Sequence, residues 1–138
     1  MNKIFVDTWA WYALVDVKDA DHTLAQETNE QLLRDGYIFI TTNFVLDEAI
    51  TLIQYNLHHQ AAVRFYAMLQ QLINDGSVEM IRIEENHELA AWDLLKQYDD
   101  QVFSYTDCTS FVVMQALKLT QAFTVDHHFS IMRLTLIP

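Results

Sequence analysis

The sequence predicts an α/β protein of three layers, α/β/α, with a central parallel sheet covered by helices on both faces. Three observations carry this. Short β-rich apolar runs alternate with longer stretches whose apolar residues recur at helical spacing. The runs KIFV (3–6) and AFTV (122–125) are apolar on both faces, as strands buried between two helical layers are. The chain has 138 residues with only two glycines and one proline, so it holds no Gly/Pro-rich linker and reads as a single domain, 1–138.

Taken in order, KIFV (3–6) is the first strand and WAWYALVD (9–16) a bulky apolar helix. DADHTLAQETNEQLLRDG (19–36) is a polar helix that stops at Gly36, the residue expected just past a helix end. YIFITT (37–42) is the second strand. NFVLDEAITLIQYNL (43–57) opens with Asn43 as the expected N-cap and places Val45, Ala49, Leu52 and Ile53 on one face. HHQAAVRFYAMLQQLINDG (58–76) is a further amphipathic helix ending at glycine, and SVEMIRI (77–83) alternates as a strand does. ENHELAAWDLLKQY (85–98) and SYTDCTSFVVMQALKLT (104–120) are helices, QAFTV (121–125) is the last buried strand, and LTLIP belongs to a short tail.

Composition bounds the function only loosely. The net charge of −11 argues against general nucleic-acid binding, which draws on Lys and Arg. It fits a basic partner, a charged soluble surface, or carboxylates gathered around a divalent cation. The eight basic residues are scattered, so a phosphate-binding patch must come from folding or from a second subunit. No signal-peptide pattern opens the chain, and no apolar run reaches membrane-spanning length. A lone cysteine, Cys108, forms no internal disulfide, and a cytoplasmic location is the expectation.

Four acids stand out by placement. Asp7 ends IFVD and Asp126 ends FTVD, both beyond buried strands, where open α/β sheets present their sites. Glu48 lies near the start of the helix after the second strand, and Asp107 begins the helix YTDCTSFVVM. Each has a plain structural explanation, as a turn residue for Asp7 and Asp126, or as a cap or helix-dipole partner for Glu48 and Asp107. Brought to one sheet edge, four carboxylates would repel one another unless a cation neutralised them. Oxygen ligands of this kind suit Mg²⁺ or Mn²⁺, which can activate water for attack on a phosphodiester.

The stretches FVDTWAWYAL, TTNFVLDEAITLI, FSYTDCTSFVVMQ and FTVDHHF, in that order, resemble those of PIN-domain proteins, and within them the VapC-type toxin ribonucleases. Each motif is weak singly; together they span nearly the whole chain. The resemblance implies a PIN-like fold and a Mg²⁺- or Mn²⁺-dependent endoribonuclease whose catalytic and metal-binding residues are Asp7, Glu48, Asp107 and Asp126. It implies that Thr8 and Thr124 orient carboxylates or water. It also implies an RNA substrate, a small antitoxin protein as partner, and a homodimer, with no membrane association. The competing readings are a non-catalytic PIN-fold binding module and an RNA-processing nuclease that is not a toxin. Other sheet enzymes fit less well. Trp9 stands where a dehalogenase-type phosphatase needs a second aspartate, there is no glycine-rich phosphate loop, and no lysine is placed for a receiver domain.

The remaining chemistry-bearing residues have structural readings. Trp9 departs from the small residue of many relatives, and is expected to pack against the first helix rather than stack on a base. Asp47 points about 100° away from Glu48 and is expected in solvent. The pairs His58–His59 and His127–His128 are expected at the surface, with His127 or His128 a candidate for substrate contact. Cys108 lacks a base partner and is expected to be buried packing.

Overall fold

The computed structural model describes residues 2–138; Met1, the first residue of the expected domain, lies outside it. Five strands form one sheet in the order β3-β2-β1-β4-β5, and every neighbouring pair is parallel. The elements are β1 (Lys3–Val6), α1 (Thr8–Val15), α2 (His22–Arg34), β2 (Ile38–Thr42), α3 (Asn43–Asn56), α4 (His59–Asn74), β3 (Val78–Ile81), α5 (Glu85–Gln97), α6 (Tyr105–Ala116), β4 (Gln121–Phe123), α7 (His128–Ile131) and β5 (Thr135–Ile137). Connections run from β1 outward to β2 and β3, then back across to β4 and β5 on its other side. Right-handed crossovers in opposite directions set helices on both faces, which gives the expected three layers.

Burial explains the central strand. Ile4, Phe5 and Val6 are all fully buried, because β1 is flanked by β2 and β4 and covered on both sides. Aromatic edges tie the layers together. Trp11 of α1 meets Phe39 of β2 at 6.4 Å and Phe65 of α4 at 6.0 Å, and Phe39 meets Phe123 of β4 at 6.2 Å. At the end of α2, Gly36 takes φ +79°. Its N–H donates to Leu33 and that of Tyr37 to Leu32, a closing motif that needs a residue free to adopt positive φ.

The structure corrects several local expectations. LTLIP is not a tail: Thr135–Ile137 pairs in parallel with Gln121–Phe123 and completes the sheet. A run of three residues carries too little periodicity to be read as a strand, yet it gains a partner edge on folding. β4 ends at Phe123 rather than residue 125, and Val125 is exposed. Thr42, not Asn43, caps α3, its Oγ1 accepting from the Val45 N–H at 3.1 Å. Asn43 is used elsewhere, accepting from the Ile83 N–H at 2.7 Å and tying α3 to the end of β3. On α3 the buried face is Val45, Leu46, Ala49 and Ile53, with Leu52 turned outward.

Candidate active site

β1 is the point where the strand order reverses, and such a point leaves a crevice beyond the carboxyl ends of the strands. Asp7 sits there. Its backbone N–H donates to Phe123 of β4, and its carbonyl accepts from Ala10 and Trp11, so the residue is both the end of the strand and the start of α1. Its side chain does not cap α1. Instead Oδ2 accepts from the Thr124 hydroxyl at 2.9 Å, and the residue is only 6% exposed. Burial pushes the Asp7 carboxyl from its ordinary 3.8 up to about 7. The Thr8 amide and the Thr124 hydroxyl pull it down, and the nearby charges of Asp107 and Asp126 push it further up.

Thr124 does two things with one oxygen. It donates to Asp7 and accepts from the Asp126 N–H at 3.0 Å. The last ladder contact of β4, from the Thr124 N–H to the Ile137 carbonyl at 3.2 Å, holds it in place. Beyond it, Asp126 folds the chain into α7: Oδ1 accepts from the His128 N–H at 2.9 Å and the backbone carbonyl accepts from Phe129. Phe129 is fully buried between Phe5 at 6.4 Å and Phe111 at 5.0 Å. The apolar residue of DHHF is thus the anchor, and the polar residues before it are held at the rim.

Asp107 arrives from the other side, in the first turn of α6. The structure corrects the capping expectation here: Ser104 is the cap, and Asp107 is its partner three residues on in a capping box. The Ser104 hydroxyl accepts from the Asp107 N–H at 2.9 Å, and Asp107 Oδ2 accepts from the Ser104 N–H at 3.1 Å. The cap does not exhaust the side chain. Partial burial raises the Asp107 carboxyl, Ser104 offsets this, and Asp126 adds to it.

The structure therefore brings Asp7, Asp107 and Asp126 within electrostatic reach of one another, from β1, α6 and the β4–α7 loop. Among the described residues no lysine or arginine pairs with any of the three. Glu48 is half-buried in the second turn of α3, too far along for a first-turn dipole role, and makes no hydrogen bond or ion pair among the described residues. Thr8 is buried with its Oγ1 unpartnered, beside Asp7.

The histidines divide. His58 caps α4, its Nδ1 accepting from the Ala61 N–H at 3.0 Å. His127 is exposed. His128 is not the surface residue expected: its Nδ1 is buried, 3.3 Å from Asp126 Oδ1 and 3.5 Å from Asp107 Oδ2. Asp126, His127 and His128 can bring one donor atom each within 4.8 Å of one another. No local pattern in DHHF announced this, because the ring is set by its packing on Phe103. Trp9 is packing, though on β4 and not against the first helix, with its ring edge-on to Phe123 at 6.0 Å and its Nε1–H donating to Asp21 at 3.0 Å. Cys108 is fully buried, its thiol pushed up to about 11 by burial, which removes it as a nucleophile.

Three carboxylates with no lysine or arginine paired to them among the described residues are oxygen donors of the kind that suits a hard divalent cation, and the buried, raised Asp7 is the group that such a cation would most relieve.

Comparison with known proteins agrees with this geometry. The PIN domain family model matches residues 4–133. The 23S rRNA-specific endonuclease VapC20 of Mycobacterium tuberculosis is 32% identical over 127 residues, 92% of each chain. A VapC ribonuclease of Archaeoglobus fulgidus is 30% identical over 129 residues, 91% of this chain and 78% of the relative. The crystal structure of VapC20, described as a sarcin–ricin loop cleaving toxin, superposes with a TM-score of 0.83 at 31% identity, covering 96% of each chain. The VapBC2 structure from Rickettsia felis, bound to a promoter DNA fragment, shares the fold at a TM-score of 0.66 and 14% identity, covering 98% of this chain and 97% of that one. The chain belongs to the PIN-domain family, with VapC-type ribonucleases among its relatives.

Proposed function

We propose that this protein is a Mg²⁺- or Mn²⁺-dependent endoribonuclease, the toxin of a toxin–antitoxin pair, with Asp7, Glu48, Asp107 and Asp126 as its metal-binding and catalytic acids. The observation that carries this is Asp7. It is a buried carboxylate at the strand-order reversal, raised by burial and by two other acids, with no lysine or arginine paired to it among the described residues. When bound, a divalent ion supplies a more acidic water and a charge to meet the phosphate. The chain's own part is preorganisation. Thr124 holds Asp7, the cap of α6 holds Asp107, and the tight turn into α7 holds Asp126, so none of the three has to be ordered when the ion arrives. Thr8, with its free buried hydroxyl, is placed to orient a carboxylate or water beside Asp7. Glu48, half-buried on α3, is included on the resemblance of TTNFVLDEAITLI to the family's second motif.

The substrate named for the relative VapC20 makes the ribosomal sarcin–ricin loop the first RNA to test. A small antitoxin as partner follows from the relatives' names, and an acidic site suits a partner that offers a basic side chain to it. We assign a homodimer to the exposed apolar face of α3 and α4, where Tyr55, Val63 and Tyr66 are 85%, 55% and 46% exposed. The experiment is cleavage of a sarcin–ricin loop RNA and of ribosomes by the purified chain, with Mn²⁺, Mg²⁺ or EDTA. Cleavage with metal, lost in EDTA and in the Asp126→Asn variant, is the expected result. Cleavage that persists in EDTA sinks the metal reading.

A further inference from the structure

The carboxylate account leaves His128 unused, and its placement is specific. The ring is clamped edge-on against Phe103, centroids 5.2 Å apart at 75°, and Phe103 is itself 5.2 Å from Phe111. The His127 ring lies against its other side at 4.6 Å. Its backbone is fixed by the bond to Asp126 Oδ1 and by the burial of Phe129. A ring so held has little freedom to turn, and it points Nδ1, buried and without a hydrogen-bond partner, between Asp107 and Asp126.

The distances separate two explanations. A charge-assisted hydrogen bond from nitrogen to carboxylate lies at about 2.7–2.9 Å. The observed 3.3 and 3.5 Å are longer than that. They are close to the spacing of neighbouring ligand atoms on an octahedral ion, where bonds of about 2.1 Å at right angles put adjacent ligands about 3 Å apart. Each facing oxygen is already oriented by one backbone N–H, Asp126 Oδ1 by that of His128 and Asp107 Oδ2 by that of Ser104.

Resting on the reading of these acids as a metal site, we propose that His128 Nδ1 is a ligand of the same ion as Asp126, giving a mixed oxygen–nitrogen donor set that selects Mn²⁺ over Mg²⁺. Mg²⁺ takes oxygen ligands and sheds water reluctantly, whereas an imidazole nitrogen favours ions further along the first-row series. The required tautomer carries its proton on Nε2 and leaves the Nδ1 lone pair toward the acids.

The test is pulsed electron paramagnetic resonance of the full chain loaded with Mn²⁺ alone. A nitrogen coupling is expected, and it should change to the ¹⁵N pattern when histidine is isotopically labelled. His128→Phe keeps the packing on Phe103; it should lose the coupling and about tenfold in Mn²⁺ affinity, with Mg²⁺ affinity nearly unchanged. His127→Ala should keep the coupling. Should His128→Phe not fold, labelled wild type and His127→Ala decide the matter. Mn²⁺ bound in an Asp126-dependent way without nitrogen coupling overturns the assignment and leaves the metal site standing, as does a coupling lost in His127→Ala. Binding unaffected by Asp7→Asn and Asp126→Asn overturns the site and the ligand together.

Discussion

At the residue scale the decisive group is Asp7. Its carboxyl is held near 7 in the metal-free fold against 3.8 ordinarily, so the folded state binds a proton more tightly than the unfolded chain. For an acid raised in this way, the associated stability is fully present below about pH 4 and is lost as pH climbs through about 7. Metal-free protein should therefore unfold at lower urea concentration at pH 8 than at pH 5. Asp7→Asn should flatten that difference and stabilise the metal-free fold at pH 8, by at most about 4 kcal/mol for a displacement of this size. The same variant should have no ribonuclease activity. A variant that is less stable than wild type at pH 8, or fully active, contradicts this account of Asp7. Thr124→Val tests the strut separately. It removes the only side-chain donor to Asp7 among the described residues and the acceptor for the Asp126 N–H, and activity should fall at least as far as Mn²⁺ affinity does, by about 10- to 100-fold.

At the scale of elements, the start of α6 couples stability to the site. Ser104→Ala removes the hydroxyl that caps the helix, a loss of about 1 kcal/mol by thermal unfolding. Because Asp107 is the other half of that cap, metal affinity should drop too, and a variant that loses stability with unchanged Mn²⁺ titration argues that Asp107 is a cap alone. Elements also mark what the sequence made legible. Asp7 could be placed because a buried strand announces itself and the position after it is fixed by the pleat, whereas Asp126 lies three residues beyond β4, held by Thr124 and the turn into α7. Asp107 could be placed because an acid opening an apolar helix has few explanations. The role of Thr42 in place of Asn43 could not, since two good capping residues stand side by side and the choice was made by Ile83, forty residues away. β5 was hidden because its stability comes from an edge that β4 provides. His128 was hidden because its position depends on Phe103, which no local pattern connects to it.

For the whole molecule, charge sets the terms on which RNA can be held. A net −11 repels a polyanion at long range, and the basic residues that form ion pairs, Lys3 with Glu79 and Lys96 with Asp93, face acids of their own. RNA affinity should accordingly depend on a bound cation. Binding of the sarcin–ricin loop RNA with Ca²⁺ as a non-catalytic stand-in should exceed binding in EDTA by about tenfold or more, the effect of about 1.4 kcal/mol. Tight binding to arbitrary RNA in EDTA would show a basic surface instead. The homodimer has its own check: light scattering at micromolar concentration should give twice 16.2 kDa, and Val63→Glu with Tyr66→Glu should give a monomer.

The bond from Thr124 to Asp7 joins residues 117 positions apart. β1 is synthesised before the other strands of the sheet, and β4, α7 and β5 after all the elements between. A nascent chain thus carries Asp7 through 117 further residues of synthesis without the strut that orients it or the loop that bears Asp126 and His128. The site stays incomplete until β4 has paired with β1. Chains cut off before Gln121 should bind no Mn²⁺ at this site and leave cells unharmed when expressed, so the order in which the fold is completed acts as a safety interval between translation and activity.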